Sequence, residues 1–267
     1  NLFYLENLAR LAEMISNAGF EVRIGTLAEE ISEATEINLD SGRTLLLEPL
    51  QRQGNKVGVA DFFPCAVLLN NDLSGGRPAI LENIDQPIMP PLDLGWNNRL
   101  KSQHFGVYRQ VTEEFAQLLD IDPWLVDPLF RNCGQINFKK NEGIECLESN
   151  VAMLLEDIEE KYREYGIKDE PFVIVKSDAG TYGMGIMTVK SPEEISQLNR
   201  KQRNKMASAK EGLDVTGAII QEGVYTSETW EPENAVAEPV VYMIDHHVVG
   251  GFYRVHKGRG TQENLNA

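Results

Sequence analysis

Long apolar runs are missing from this sequence: no stretch of eighteen apolar residues occurs in its 267 positions, which argues against a membrane-spanning helix. The opening NLFYLENLAR lacks the basic start and small-residue cleavage site of a secretory leader, so a cytoplasmic protein is the expectation. Cysteine is scarce. Cys65, Cys133 and Cys146 are an odd number at wide spacing, fitting neither a disulfide framework nor a CxxC metal motif, and all three read as reduced packing residues. Of four histidines, His246 and His247 form a turn pair with no third ligand spaced to join it. Positive charge is short as well: 25 Lys and Arg face 41 Asp and Glu, a net charge of −16. Such a surface repels phosphate backbones, so nucleic acid and anionic membranes are poor partners. No internal repeat or low-complexity tract is visible.

At 42% hydrophobic residues the chain can bury one large core or two smaller ones. Leu5, Leu8, Leu11, Ala12 and Ile15 recur at helical spacing until Gly19 stops them, which predicts a helix over Leu5 to Ala18. Short β-rich runs follow at Glu21 to Gly25, Thr44 to Glu48 and Val57 to Leu69. The proline-rich segment Gln86 to Gly95 reads as a connection. Further helices are expected from Arg99 to Leu119 and from Leu147 to Tyr165, the latter with Val151, Leu154, Leu155, Ile158 and Tyr162 on one face. Alternation of helix and apolar strand argues for an α/β layer with a largely parallel sheet. The boundary between two domains is expected near residues 100 to 125, giving 1–115 and 116–267. The chain starts without Met and ends on a polar loop, and it reads as part of a longer protein.

The most informative stretch runs from Pro171 to Val189, an apolar strand ending at Lys176, a turn holding Gly180, Gly183 and Gly185, and a second apolar strand. Glycines let backbone N–H groups approach phosphate oxygens, and a lysine at the strand end adds positive charge. Neither GxxxxGK[ST] nor a dinucleotide fingerprint is present. Turn glycines without a ligand remain the plain alternative. Residues 171 to 210 hold seven Lys or Arg against three Asp or Glu, which suits a confined anion or, equally, a solvated helix face through Arg200, Lys201, Arg203 and Lys205. About forty residues on, the strand Gly217 to Val224 exits through Gln221, Glu222 and Val224, where alternate backbone groups could meet the edge of an adenine. Two apolar strands from Ala237 to His256 then carry Arg254, read as a catalytic arginine or a structural ion pair.

Together these segments resemble the ATP-grasp superfamily. The run from Arg254 to Ala267 is similar to the arginine strand and asparagine loop of bacterial glutathione synthetases, bringing in Asn264 and Asn266. KSDAGTYGMGIMTV, NRKQRNKM, IIQEGVYT, AEPVVYMID and GGFYRVH resemble more specifically a minor, proteobacterial glutamate-cysteine ligase family. The resemblance implies an ATP-grasp fold preceded by a Rossmann-like domain. It also implies ATP and Mg2+ as cofactors, L-glutamate and L-cysteine as substrates, and joining of the two through an acyl phosphate. Lys176 and Arg254 then offset charge at the transferring phosphoryl group, and Lys101 resembles the lysine that reaches the nucleotide from the first helix after the linker, although helix solvation is the alternative. Asn71, Asp72 and Ser74 lie at an expected strand end where substrate gathers, or form an Asx turn. Metal ligands are left open, because no Glu-x-Asn strand is seen up to residue 267 and Glu238 or Asp245 could equally be surface acids. A different acceptor, as in glutathione synthetase, and a nucleotide-binding protein without catalysis remain alternatives, and a homo-oligomer is left open.

Overall fold

The computed structural model describes residues 5–73, 75–95, 99–179, 185–207, 217–231, 234–244, 246–258 and 260–262. By contacts the chain divides into two compact units, Asn1–Gly95 and Trp96–Ala267, ahead of the sequence-based division at 115. Each is described by itself.

In the first unit the helix α1, Leu5–Asn17, follows from its apolar spacing. It buries Ala9 and sets Leu5 and Leu8 around Leu45 and Leu47. These leucines belong to a four-stranded sheet of β1 (Ile24–Thr26), β2 (Thr35–Asn38), β3 (Thr44–Gln53) and β4 (Lys56–Val59), with β3 paired to the other three. Only β1 runs parallel to β3; β2 and β4 are antiparallel to it. A second small sheet pairs β5 (Val67–Leu68) with β6 (Ile88–Met89), two residues each and parallel.

The expected largely parallel sheet is therefore corrected to a mixed one. The links from β2 to β3 and from β3 to β4 are short turns with glycine at positive φ, Gly42 at +80° and Gly54 at +60°, and a connection that short can only join antiparallel neighbours. The expected strand from Val57 to Leu69 also breaks. Ala60 takes φ +48° and Val59 bridges Phe62, a turn so tight that a Cβ on Gly58 would lie 2.2 Å from the Phe62 carbonyl oxygen. The proline-rich connection is held by side chains. Buried Gln86 accepts from Val57 N–H at 2.7 Å and donates to the Val57 and Pro64 carbonyls, while Arg52 donates to the Glu82 carbonyl at 2.7 Å.

The second unit opens with α2 (Lys101–Leu119), followed by β7 (Phe130–Cys133), α3 (Ile144–Tyr165), β8 (Val173–Ser177) and β9 (Ile186–Val189). Then come α4 (Glu193–Ser196), α5 (Arg200–Ala207), β10 (Ala218–Glu222), β11 (Thr229–Trp230), β12 (Ala235–Ile244) and β13 (His247–His256). Four strands make a sheet in the order β7-β10-β8-β9, antiparallel throughout. The helical period of α3 does what the sequence predicts: Val151, Leu154, Leu155, Ile158 and Tyr162 are all buried, together with Val173, Val175 and Ile220 of the sheet. Gly166 at φ +67° ends that helix. Along α5 the cations Arg200, Lys201 and Lys205 are exposed while Met206 is buried, and half-buried Arg203 donates to the Leu198 carbonyl at 2.6 Å, so the solvated-face reading fits three of the four cations. The strands β11, β12 and β13 form a separate antiparallel sheet, with a register shift at Tyr242/Met243. Among the described residues no helix is long and apolar enough to cross a membrane.

All three cysteines are free, but only Cys133 is buried, with its thiol 3.4 Å from that of Cys146; the packing reading holds for Cys133 and not for exposed Cys65 and Cys146. Because Ile158 is fully buried between α3 and the sheet, Ile158→Ala should lower unfolding free energy by about 2–5 kcal/mol. A urea titration with an unchanged slope and a lower midpoint is the expected result.

Candidate active site

Side chains of a strand alternate between faces, and β8 uses this sharply. Val173, Val175 and Ser177 are buried, the two valines against α3, whereas Lys176 points to the opposite face. Lys176 pairs in register with Ile219, and Gln221 two residues along β10 lies on the same face. There the Lys176 ammonium donates to the Gln221 side-chain oxygen and stands 5.8 Å from the centre of the Phe105 ring of α2. Among the described residues no carboxylate pairs with Lys176, and burial lowers its pKa from the ordinary lysine value.

The first turn of α2 brings a second lysine, Lys101, to this place from far earlier in the chain. Lys101 Nζ donates to the Ser177 carbonyl at 2.8 Å and to that of Asp178 at 3.3 Å. Its pKa is lowered to about 8, first by burial and then by the like charge of Lys176, with Asp178 opposing. Two ammonium groups side by side in a partly dry setting form a receptor for an anion with several negative oxygens. Asp178 joins the two elements. Its carboxylate accepts from Ser102 N–H at 2.7 Å and from the Ser102 hydroxyl at 2.6 Å, and its carbonyl accepts from Lys101 N–H at 3.0 Å. The aspartate thus supplies an N-terminal cap for α2 from outside the helix.

The exit of β10 divides its residues between fold and site. Glu222 is buried, and its carboxylate accepts from the Trp124 indole N–H at 3.0 Å and from Leu129 N–H at 2.9 Å. Its own N–H donates to the Leu129 carbonyl at 2.8 Å. Burial raises the Glu222 pKa, with the Asp127 charge adding and the hydrogen bonds opposing. The Glu222 side chain is thus engaged within the fold. Gly223 is there of necessity, since a Cβ would lie 2.0 Å from the Phe172 ring. Val224, the next residue, is 69% exposed.

Of the other expected site residues, Gly180, Gly183, Ser74, Asn264 and Asn266 lie outside the described residues. Gly185 has φ +62° and its carbonyl accepts from Ser177 N–H, so it closes the base of the glycine turn. Arg254 forms an ion pair with Glu238, its cross-strand partner; both are partly exposed. The segment after β13 returns to the β10 exit, where Thr261 accepts from Thr226 N–H at 2.9 Å and Gln262 donates to the Tyr225 hydroxyl at 2.7 Å. Asn71 and Asp72 belong to the first unit, and the Asn71 side-chain oxygen accepts from Leu73 N–H at 2.7 Å, the Asx turn. Among the described residues no three His, Cys, Asp or Glu side chains are grouped to hold a metal ion.

A family model described as GshA, glutamate-cysteine ligase, matches residues 1–267. The chain belongs to the glutamate-cysteine ligase family. A crystal structure from Methylobacillus flagellatus KT, provisionally named a gamma-glutamylcysteine synthetase, is 56% identical to it with a TM-score of 0.88. That likeness covers 100% of this chain and 62% of the other, so the chain spans less than two thirds of that relative. No curated protein matches the chain.

In this member of the ligase family, Asp178 and Ser102 are the site residues that sequence reading missed. Their contact joins positions 76 apart, and the one hint was an aspartate two residues beyond the strand lysine. Lys176 and Glu222 should separate function from fold. Glu222→Ala leaves two buried N–H donors without an acceptor and should cost about 2–3 kcal/mol of stability, whereas Lys176→Ala removes a desolvated charge and should leave the unfolding midpoint unchanged or raised. Urea midpoints of the two variants check this directly.

Proposed function

We propose that this chain carries the nucleotide cleft of an ATP-grasp glutamate-cysteine ligase acting in the cytoplasm, which joins the γ-carboxylate of L-glutamate to the amine of L-cysteine. The observation that carries the reading is the convergence of Lys101 and Lys176 on one face of the β8–β10 sheet, beside Gln221. Polyphosphate suits this pair, because anionic oxygens would relieve the repulsion between two partly dehydrated ammonium groups. Backbone groups of Glu222 and Val224 at the β10 exit are read as the adenine edge. The turn holding Gly180, Gly183 and Gly185 is read as the cover of the phosphates.

In the reaction, a γ-carboxylate oxygen of glutamate attacks the terminal phosphorus of ATP and ADP leaves. The cysteine amine then attacks the acyl carbon, and phosphate departs with formation of the amide. Lys176 and Lys101 hold and neutralise the transferring group throughout. Arg254 is assigned with Lys176 to the charge on the transferring phosphoryl group. Its present pairing with Glu238 does not compete strongly, since half-exposed ion pairs are worth roughly 0–1 kcal/mol. Asn264 and Asn266 beyond the β10 return, and Asn71, Asp72 and Ser74 in the first unit, are read as substrate contacts. Mg2+ belongs to the reading through the family; the described residues do not present a donor set for it, and no step is routed through it.

Phosphate release by the full-length protein, with ATP and Mg2+, tests the reading. Release that requires glutamate and cysteine together supports it; release with γ-glutamylcysteine and glycine instead would reassign the acceptor. Lys176→Ala should lower that turnover by about 100-fold or more, in line with loss of a single charge stabiliser.

A further inference from the structure

We propose that Cys133 and Cys146 form a redox-active thiol pair, a modification site that exchanges with small-molecule disulfides and closes to an intrachain disulfide; it is independent of the nucleotide reading. Cys133 is the last residue of β7 and Cys146 the third of α3. Their thiols stand 3.4 Å apart. A disulfide holds its sulfurs at about 2.05 Å, so closure asks for an approach of roughly 1.4 Å. The loop between the two is well fixed. Asn137 and Glu142 exchange backbone hydrogen bonds at 3.0 and 3.1 Å, Ile136 and Phe138 are buried, and a Cβ on Gly143 would lie 2.5 Å from the Gln135 carbonyl oxygen. The fold itself thus brings the sulfurs together. The Asn150 amide, one turn along α3, donates to the Cys146 carbonyl at 2.9 Å and faces both sulfurs, 3.4 Å from that of Cys146 and 3.6 Å from that of Cys133. An N–H donor so placed can meet the charge that passes between the sulfurs during exchange.

Access divides the labour between them. Cys146 is exposed and Cys133 is buried. Burial first, then the hydrogen bond and charge of Cys146, push the Cys133 thiol up to about 12, with Asn150 opposing. The attacking group is therefore the Cys146 thiolate. It displaces one half of a disulfide RS–SR, giving a Cys146–SR mixed disulfide and RS−. Its charge then no longer opposes loss of the Cys133 proton. Cys133 sulfur attacks the Cys146 sulfur, the Cys133–Cys146 bond forms, and the second RS− leaves. The two protein protons end on the two RS− released. Two protein thiols are oxidised and one small disulfide is reduced, and an added dithiol reverses the exchange.

The test incubates the full-length protein with cystamine at about pH 8, quenches with acid and maps tryptic peptides without reduction. Cystamine is a cationic disulfide, suited to exposed Glu142 and Glu145 at the start of α3. Cleavage at Arg131, Lys139, Lys140 and Lys161 puts the two cysteines on separate peptides, 132–139 and 141–161. The expected product is one cross-linked species, two hydrogen masses below the sum of those peptides, that separates on adding dithiothreitol. Cys133→Ser should instead retain cysteamine on Cys146, and Cys146→Ser should leave Cys133 unmodified. A lasting mixed disulfide at Cys146 of the parent protein, two unmodified cysteines, or cysteamine on Cys133 in Cys146→Ser overturns the proposal.

Discussion

Two ammonium groups held close together in a partly dry wall are the constraint around which the second unit is organised. Burial, and after it the like charge of Lys176, lowers the Lys101 pKa to about 8, with Asp178 opposing. No fold would select this arrangement for its stability, since an apolar pair of similar volume would pack there without the cost. The pieces that tolerate it are polar but uncharged: the Gln221 amide oxygen for Lys176, and two strand-end carbonyls for Lys101.

The acid nearest in sequence to this face is treated in the opposite way. Glu222 follows Gln221 immediately, and strand alternation sends it to the other side, where Trp124 and Leu129 surround it with donors. A carboxylate on the lysine face would have formed a salt bridge and cancelled the receptor. Asp178 comes closest to doing so, and its carboxylate is directed to the first turn of α2 instead. There it meets the positive end of a 19-residue helix. Both acids, Glu222 and Asp178, thus have their carboxylates bound by donors of the fold.

How far the sequence conveys this depends on the range of the interaction. Helix α3 is legible because its buried residues repeat every three or four positions, and the 171–189 hairpin because two apolar runs flank a glycine turn. Lys176 is legible from the strand and glycine turn and Gln221 from the polar strand exit, whereas Lys101 rests on the resemblance; Lys176 donates to Gln221, and the Lys176 charge acts on Lys101. Strand direction is not legible in the same way. A helix between two strands is compatible with either sense, and here the short glycine turns at Gly42 and Gly54 decide for antiparallel pairing. The structural task of the Glu222 side chain is not legible locally, because its donor, Trp124, lies 98 residues away. Ser102 and Asp178 escaped notice for the same reason.

Arg254 shows where residue type and neighbours stop being informative and geometry takes over. An arginine in an apolar strand demands an anion, and Glu238 supplies one directly across β12. This satisfies the demand without settling the use. The pair stands next to the buried base of the hairpin, at Val236 and Ala237, while Val241, Tyr242, Phe252 and Tyr253 further out are exposed. A two-stranded ribbon of that length has little stability of its own, so the base must carry it. A half-exposed ion pair adds too little to do that. The anchoring falls to the buried Ala235–Ala237 segment and to the return of Thr261 onto Thr226. Arg254 is therefore dispensable to the hairpin in energetic terms, and a catalytic assignment for it does not conflict with what holds the strand in place.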